Sequence, residues 1–315
     1  MKKLRVLSII LGYGICSMGL TNCSDDNEDL SEGGNPPAQK ILAVGFDTEK
    51  PVKKICYFHP GNSAPMQSLI FTWSGKNITA LELQGYDTET KQYVTYDKYE
   101  YHYQGQEVLC QYYVLNEEGK LELSKDGNSK VQLDHEGYAK SCTNKTYEYN
   151  LYGDSDSPRR IDYTMHHTYQ VERDADHRVT LLVHSSYSEY LPKDLQWLKD
   201  QYNYDPTGVS HDSIPFEYDA KGNQMHFTHE YTELPNVNGF HLACMHAYHF
   251  PRSITPICMG PYDLLHVVKT PNLPAHFEHE LYKYEVDKDG YVTKVYDLRE
   301  WTEDWTQAPY SVFEY

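Results

Sequence analysis

Basic side chains are scarce in this sequence. Lys and Arg number 28 against 46 Asp and Glu over 315 residues, a formal net charge of −18. A surface this acidic repels phosphate backbones and argues against nucleic acid as a partner. It also disfavours broad contact with anionic lipid. Trp (4) and Phe (9) are few beside 30 Tyr. Tyr suits strands, with an apolar ring and a hydroxyl that can stay wet, so the aromatic load points to β structure with large half-exposed faces. Helix-period patterning is sparse. No Gly-x-Ser-x-Gly elbow, phosphate-cradling loop or dinucleotide fingerprint is present, so the common signatures of hydrolases and nucleotide-binding enzymes are missing. The mean hydropathy is −0.70.

One apolar run stands apart, at the amino end. Lys2, Lys3 and Arg5 precede Val6 to Leu20, a stretch too short to be a comfortable membrane span. Residues 1–22 therefore read as a secretory signal. Its removal takes three positive charges, and the net charge moves from −18 to −21. The run ends in Leu20-Thr21-Asn22-Cys23. This resembles the lipobox of bacterial lipoproteins, in which cleavage precedes a cysteine that receives a diacylglyceryl group. Asn22 departs from the Gly, Ala or Ser usual there. The resemblance implies lipidation at Cys23 and a membrane as the first partner. Each buried acyl methylene contributes about 0.8 kcal/mol; one chain holds weakly and a multiply acylated cysteine holds stably. Next comes Ser24-Asp25-Asp26-Asn27-Glu28-Asp29. It resembles the acidic export signal that sends Bacteroidetes lipoproteins to the outer face of the outer membrane, with the periplasmic face as the alternative. Physically it is a solvated spacer. Gly33, Gly34, Pro36 and Pro37 extend a flexible tether over 23–40, leaving 41–315 as the body.

Cysteine is also sparse. With Cys16 in the leader and Cys23 at the anchor, five remain: Cys56, Cys110, Cys142, Cys244 and Cys258. An odd number is not a disulfide framework. One or two bridges in an oxidising compartment, or small buried apolar residues, are the two readings.

From residue 41 short runs rich in Tyr, Val, Leu and Thr alternate with polar turns. Ser68 to Trp73 is one run, and Ser74-Gly75-Lys76-Asn77 turns it into Ile78 to Leu83. Alternation puts Thr79, Leu81 and Leu83 on one face and Ile78, Ala80 and Glu82 on a wetter one. One turn recurs: Asn116-Glu117-Glu118-Gly119, Asp134-His135-Glu136-Gly137, Asp219-Ala220-Lys221-Gly222 and Asp287-Lys288-Asp289-Gly290. The leading Asp or Asn accepts hydrogen bonds from the turn backbone, and Gly takes the positive φ that closes a right-twisted hairpin. Asp174-Ala175-Asp176-His177 is a degenerate copy without the Gly. Spacing between copies is irregular, so this is no strict solenoid or propeller repeat. The expected fold class is all-β: an antiparallel meander of hairpins, curled or barrel-like, with one or two short helices; Leu191 to Leu198 reads as a short helix or a turn, and Pro261 to Val268 as another. Phe240 to Phe250 is open between strand and helix.

The Tyr-x-Tyr-Asp-x-x-Gly hairpins resemble YD repeats. Gly260-Pro261-Tyr262, Lys269-Thr270-Pro271-Asn272-Leu273-Pro274 and Tyr282 to Lys294 resemble a family of uncharacterised Bacteroidetes lipoproteins, a domain of unknown function with a porin-like fold. The resemblance implies a long meander curled toward a barrel. It implies no activity, substrate or catalytic residue.

Chemistry-bearing residues give no catalytic set, and no cofactor is expected. His226/His229, His246/His249 and His276/His279 are three apart, a spacing that shares a face on helices but not on strands. His226/His229 and His276/His279 sit in strand-like segments. His241, His246 and His249, with Cys244 among them, are the metal candidates. Glu278 and Glu280 could share a strand face as glycosidases require, or simply be solvated. Tyr93, Tyr96, Tyr101 and Tyr103, and Tyr147 and Tyr149, are candidates for a platform that stacks a sugar or peptide; cross-strand pairing explains them without a ligand. Three functions follow. The preferred one is a non-enzymatic surface lipoprotein that binds or scaffolds a glycan or envelope protein. The others are a hydrolase assembled from distant strands and a purely structural envelope component.

Overall fold

The computed structural model describes residues 49–58, 64–75, 77–126, 128–152, 159–202, 205–225, 230–238, 270–277, 280–299 and 311–315. The leader, Cys23, the tether, His226, His229, His241, His246, His249, Glu278, His279, Cys244, Cys258 and the stretch 261–268 lie outside them.

The described residues are mostly strand. In chain order these are β1 (Lys54–Tyr57), β2 (Gln67–Ser74), β3 (Asn77–Asp87), β4 (Gln92–Gln104), β5 (Glu107–Leu115), β6 (Leu121–Leu123), β7 (Ser129–Leu133), β8 (Ala139–Tyr152), β9 (Arg159–Arg173) and β10 (Val179–Tyr190). The helix α1 (Pro192–Tyr202) follows, then β11 (Ser210–Pro215), β12 (Tyr231–Pro235), β13 (Asn272–Pro274), β14 (His276–Phe277), β15 (Glu280–Val286), β16 (Val292–Arg299) and β17 (Ser311–Glu314). Fifteen strands form one antiparallel sheet in the order β11-β10-β9-β8-β7-β5-β4-β3-β2-β1-β17-β16-β15-β14, with β6 beside β5; β12 and β13 pair separately. Among the described residues β11 and β14 remain edges, so the meander does not close into a barrel. The carboxy-terminal β17 pairs with β1, which ties the two ends of the body together.

One face of this sheet is buried. Ile55, Leu69, Leu81, Tyr101, Val108, Cys110, Val131, Cys142, Tyr169, Leu182, Val295 and Phe313 belong to a single apolar cluster. Each fully buried Leu, Ile, Val or Phe side chain contributes roughly 1.5–3 kcal/mol. Cys56, Cys110 and Cys142 are all buried free thiols, which is the small-apolar reading of these three positions.

The recurrent turn has the expected geometry. Gly119, Gly137, Gly222 and Gly290 hold φ of 76°, 90°, 87° and 87°. In the Asp219 turn the N–H groups of Lys221 and Asn223 both donate to Asp219 Oδ1 at 2.8 Å. Asn116, Asp134 and Asp287 accept from the same two positions in their turns. The copy without Gly closes identically: Asp174 Oδ1 accepts from Asp176 and Arg178, and His177 takes φ of 63°.

The face of Ile78 differs from simple alternation. Thr72 pairs with Ala80 and Trp73 with Ile78, so Thr79 is the extra residue of a bulge. The bulge shifts the parity, and Ile78 is fully buried with Leu81 and Leu83 rather than on the wetter side. Of the two readings at Leu191 to Leu198, helix or turn, the chain takes the helix, which runs on to Tyr202. Pro192 takes its first position, Leu198 is buried, and Arg159 Nη2 donates to the buried Asp194 at 2.9 Å.

Candidate functional site

The two faces of β8 carry different chemistry. Register pairs Asn144 with His167, Thr146 with Met165, Glu148 with Tyr163 and Asn150 with Ile161 on β9. These even-numbered positions of β8 point to the same side as buried Cys142, the inner face. Lys145, Tyr147, Tyr149 and Leu151 point outward and are exposed.

The outer face presents an aromatic row. Tyr147, Tyr149 and Leu151 are 53%, 54% and 59% exposed. Same-face neighbours on a strand lie about 7 Å apart, so the two side chains follow one another along the same face. The Arg160 guanidinium stacks 4.1 Å from the Tyr149 ring centroid, and its Nε donates to Asp162 Oδ1 at 2.7 Å. On the next strand His166 stacks on Tyr187 at 4.4 Å and shares a 2.6 Å hydrogen bond with Glu189. Rings with flat charged groups beside them offer an apolar contact and directional hydrogen bonds together.

The other tyrosine candidates are placed differently. Tyr101 is 3% exposed and belongs to the core, and the Tyr103 hydroxyl donates to the Ile78 carbonyl at 3.0 Å. Both face inward, so they pack the sheet instead of joining Tyr147 and Tyr149. Tyr93 is partly exposed and donates to the Pro65 carbonyl. The Tyr96 hydroxyl accepts from Gln67 Nε2 at 3.0 Å. His276 lies on β14. Among the described residues no three His, Cys, Asp or Glu side chains group as metal ligands.

The inner face of β8 and β9 turns from apolar to polar along its length. Near the tight turns lie Cys142, Tyr169 and Leu182. Further along, Tyr163 Oη donates to Glu148 Oε2 at 3.0 Å, and Thr146 Oγ1 lies 3.1 Å from Glu148 Oε1 and 3.0 Å from His167 Nε2. The Tyr163 and Tyr190 rings stack at 4.9 Å. His167 is fully buried; burial, aided by nearby His184 and His166, pushes its pKa down to about 2, so the ring is neutral. Asp126 accepts from the Tyr147 N–H, and burial with the nearby Glu148 carboxylate holds it above the usual range.

The polar inner row escaped the sequence reading. Its signal was present: in Asn144-Lys145-Thr146-Tyr147-Glu148 every second residue on the core side is polar, which is unusual for a buried face.

No family model and no curated protein matches the chain. Among solved structures it is similar to a porin-like protein from Bacteroides uniformis, at 12% identity and a TM-score of 0.39, covering 84% of this chain and 98% of that one. A porin-like protein from Bacteroides vulgatus gives 13% identity and 0.34, with coverage of 84% and 99%. A protein of unknown function from Bacteroides fragilis gives 11% and 0.26, covering 40% of this chain and 93% of that one.

Proposed function

We propose that this chain is an envelope lipoprotein, anchored through Cys23 at the outer membrane with its body at the cell surface, and that the body is a non-enzymatic carbohydrate-binding module. The carrying observation is the outward pair Tyr147 and Tyr149, each more than half exposed, with Arg160 and Asp162 beside them. Sugar rings present C–H faces that stack on aromatic rings and hydroxyls that bond to flat charged groups. The YD-like turns and the lipobox-like leader support a tethered hairpin scaffold, and the acidic run after Cys23 supports export to the surface.

The test is a glycan array probed with the full-length chain, followed by calorimetry on any hit. Saturable glycan binding that drops at least tenfold in Tyr147→Ala and Tyr149→Ala supports the reading. A blank array, or a hit insensitive to both substitutions, removes it. Metabolic labelling with a fatty acid should mark the wild type and not Cys23→Ala; equal labelling of both removes the anchor.

A further inference from the structure

We propose that the open edge of β8 at residues 147–151 is a docking site for an extended, basic segment of another protein, which adds to the sheet as a further strand. The site is made of main-chain groups, with Glu148 on one side of the strand and Tyr147, Tyr149 and Leu151 on the other.

β8 outruns its neighbour. Its ladder with β7 ends at Asn144, while its ladder with β9 continues to Tyr152. β6 pairs with β5 alone. The Tyr147 N–H points to the β7 side, where it donates to Asp126 Oδ1. Main-chain groups two residues apart on a strand point the same way, so the N–H and C=O of Tyr149 and Leu151 face that side too. Among the described residues no backbone or side chain bonds to them there. Both faces of the strand are wet at this end, for Tyr149, Asn150 and Leu151 are all exposed. A row of unpaired N–H and C=O groups is a template for an added strand, whose main chain supplies affinity and whose alternate side chains supply specificity.

Charge decides the occupant. Pairing two copies of this edge about Tyr149 sets each Glu148 opposite an Asn150 and brings the two Glu148 side chains to diagonal positions about 7–8 Å apart. Like charges repel there, and each chain carries a net −18. Inward-pointing charges guard natural edges against self-pairing in this way. A strand with Lys or Arg opposite Glu148 turns the same charge into attraction. Glu148 takes hydrogen bonds from Tyr163 and Thr146 and, among the described residues, no cation. The Asp126 carboxylate stands where the open edge begins. Residues facing each other across a ladder share a face, so the segment alternates: basic residues beside Glu148, apolar residues against Tyr147, Tyr149 and Leu151. Its main attachment is the backbone of β8, so the proposal holds or fails apart from the carbohydrate reading.

The test is fluorescence anisotropy of a labelled, end-capped peptide, Thr-Val-Lys-Val-Lys-Val-Thr, titrated with the full-length chain. The expected result is saturable binding that weakens at least tenfold when Glu replaces both Lys. N-methylation of the central Val, whose N–H faces β8, should abolish binding, and N-methylation of a Lys, whose N–H faces away, should spare it. These comparisons change only the peptide, so they do not depend on a variant folding. Glu148→Lys, where its melting curve shows it folded, should prefer the Glu peptide over the Lys peptide. No saturable change, equal binding of both peptides, indifference to which amide is methylated, or an unreversed preference in folded Glu148→Lys would each overturn the assignment. A chain that sediments as a dimer, dispersed by Tyr149→Pro, would give the edge to a second copy and overturn it too.

Discussion

The Lys50 ammonium lies 2.7 Å from Asp287 Oδ2. The rings of Tyr291 and Tyr315 sit against the same ammonium, with centroids at 5.0 and 4.5 Å. One side chain thus fastens the start of the body to the β15–β16 turn and to the residue after β17. Each exposed cation–ring contact contributes roughly 0.5–1 kcal/mol, so Lys50→Gln should lower stability by about 1 kcal/mol in urea unfolding. The pH dependence has a definite sign. Lys50, and then the turn N–H groups, hold the Asp287 carboxyl below its usual range. A depressed carboxylate stabilises the fold above its unfolded pKa and loses that contribution as pH falls through the folded value. Acidification from about pH 4 should therefore destabilise the wild type more than Lys50→Gln. Parallel curves for the two proteins would contradict this.

The turn glycines should differ in sensitivity although they share a conformation. Left-handed φ costs a residue with a Cβ roughly 1–2 kcal/mol. A Cβ on Gly119 meets nothing within 4 Å, whereas one on Gly290 lies 3.1 Å from Val237 Cγ2. Gly119→Ala should lose only the conformational term. Gly290→Ala should lose that and a packing term, giving the lower melting temperature of the two. His177→Gly removes the same strain from the Asp174 turn. It also removes a 4.4 Å stack on Tyr138 and a 3.2 Å contact with Glu136. The gain and loss are of similar size, so its melting temperature should stay close to that of the wild type.

The turns were legible because their chemistry is local: one acceptor and one left-handed residue, three positions apart. The Asp174 copy shows that the acceptor alone suffices when the last residue tolerates positive φ. The face of Ile78 was not legible, because the bulge at Thr79 depends on where β2 ends and on no residue within β3. Alternation also says which residues of a strand agree, and not which set meets the core. Tyr101 with Tyr103 and Tyr147 with Tyr149 read alike, yet the first pair faces inward and the second outward. His166 and His167 are adjacent, so no spacing rule flagged them; on a strand they fall on opposite faces, one under Tyr187 and one inside.

The outward tyrosines should separate binding from stability. Surface substitutions away from strained or buried features usually change stability by about 0.5 kcal/mol or less. Tyr147→Ala should therefore melt within a degree or two of the wild type while losing glycan binding. Tyr101→Ala removes a core ring and should cost roughly 3–5 kcal/mol, as large aromatic truncations do. If Tyr147→Ala were as destabilising as Tyr101→Ala, the outer row would be packing and not a ligand surface.

His167 should give the body a second acid sensitivity, well above the carboxylate range. The ring is neutral in the fold, its pKa pushed down to about 2 chiefly by burial. In the unfolded chain an imidazole titrates near pH 6.5. The unfolded state therefore binds a proton that the native state refuses. The associated stability is fully present above about pH 6.5 and is lost as pH falls below it, at a slope approaching 1.4 kcal/mol per pH unit. His167→Gln keeps a donor for Thr146 and cannot titrate. Its unfolding free energy should be flatter than that of the wild type between pH 6.5 and 4.5. Identical slopes would mean that the ring titrates alike in the folded and the unfolded chain, and that burial does not hold it neutral.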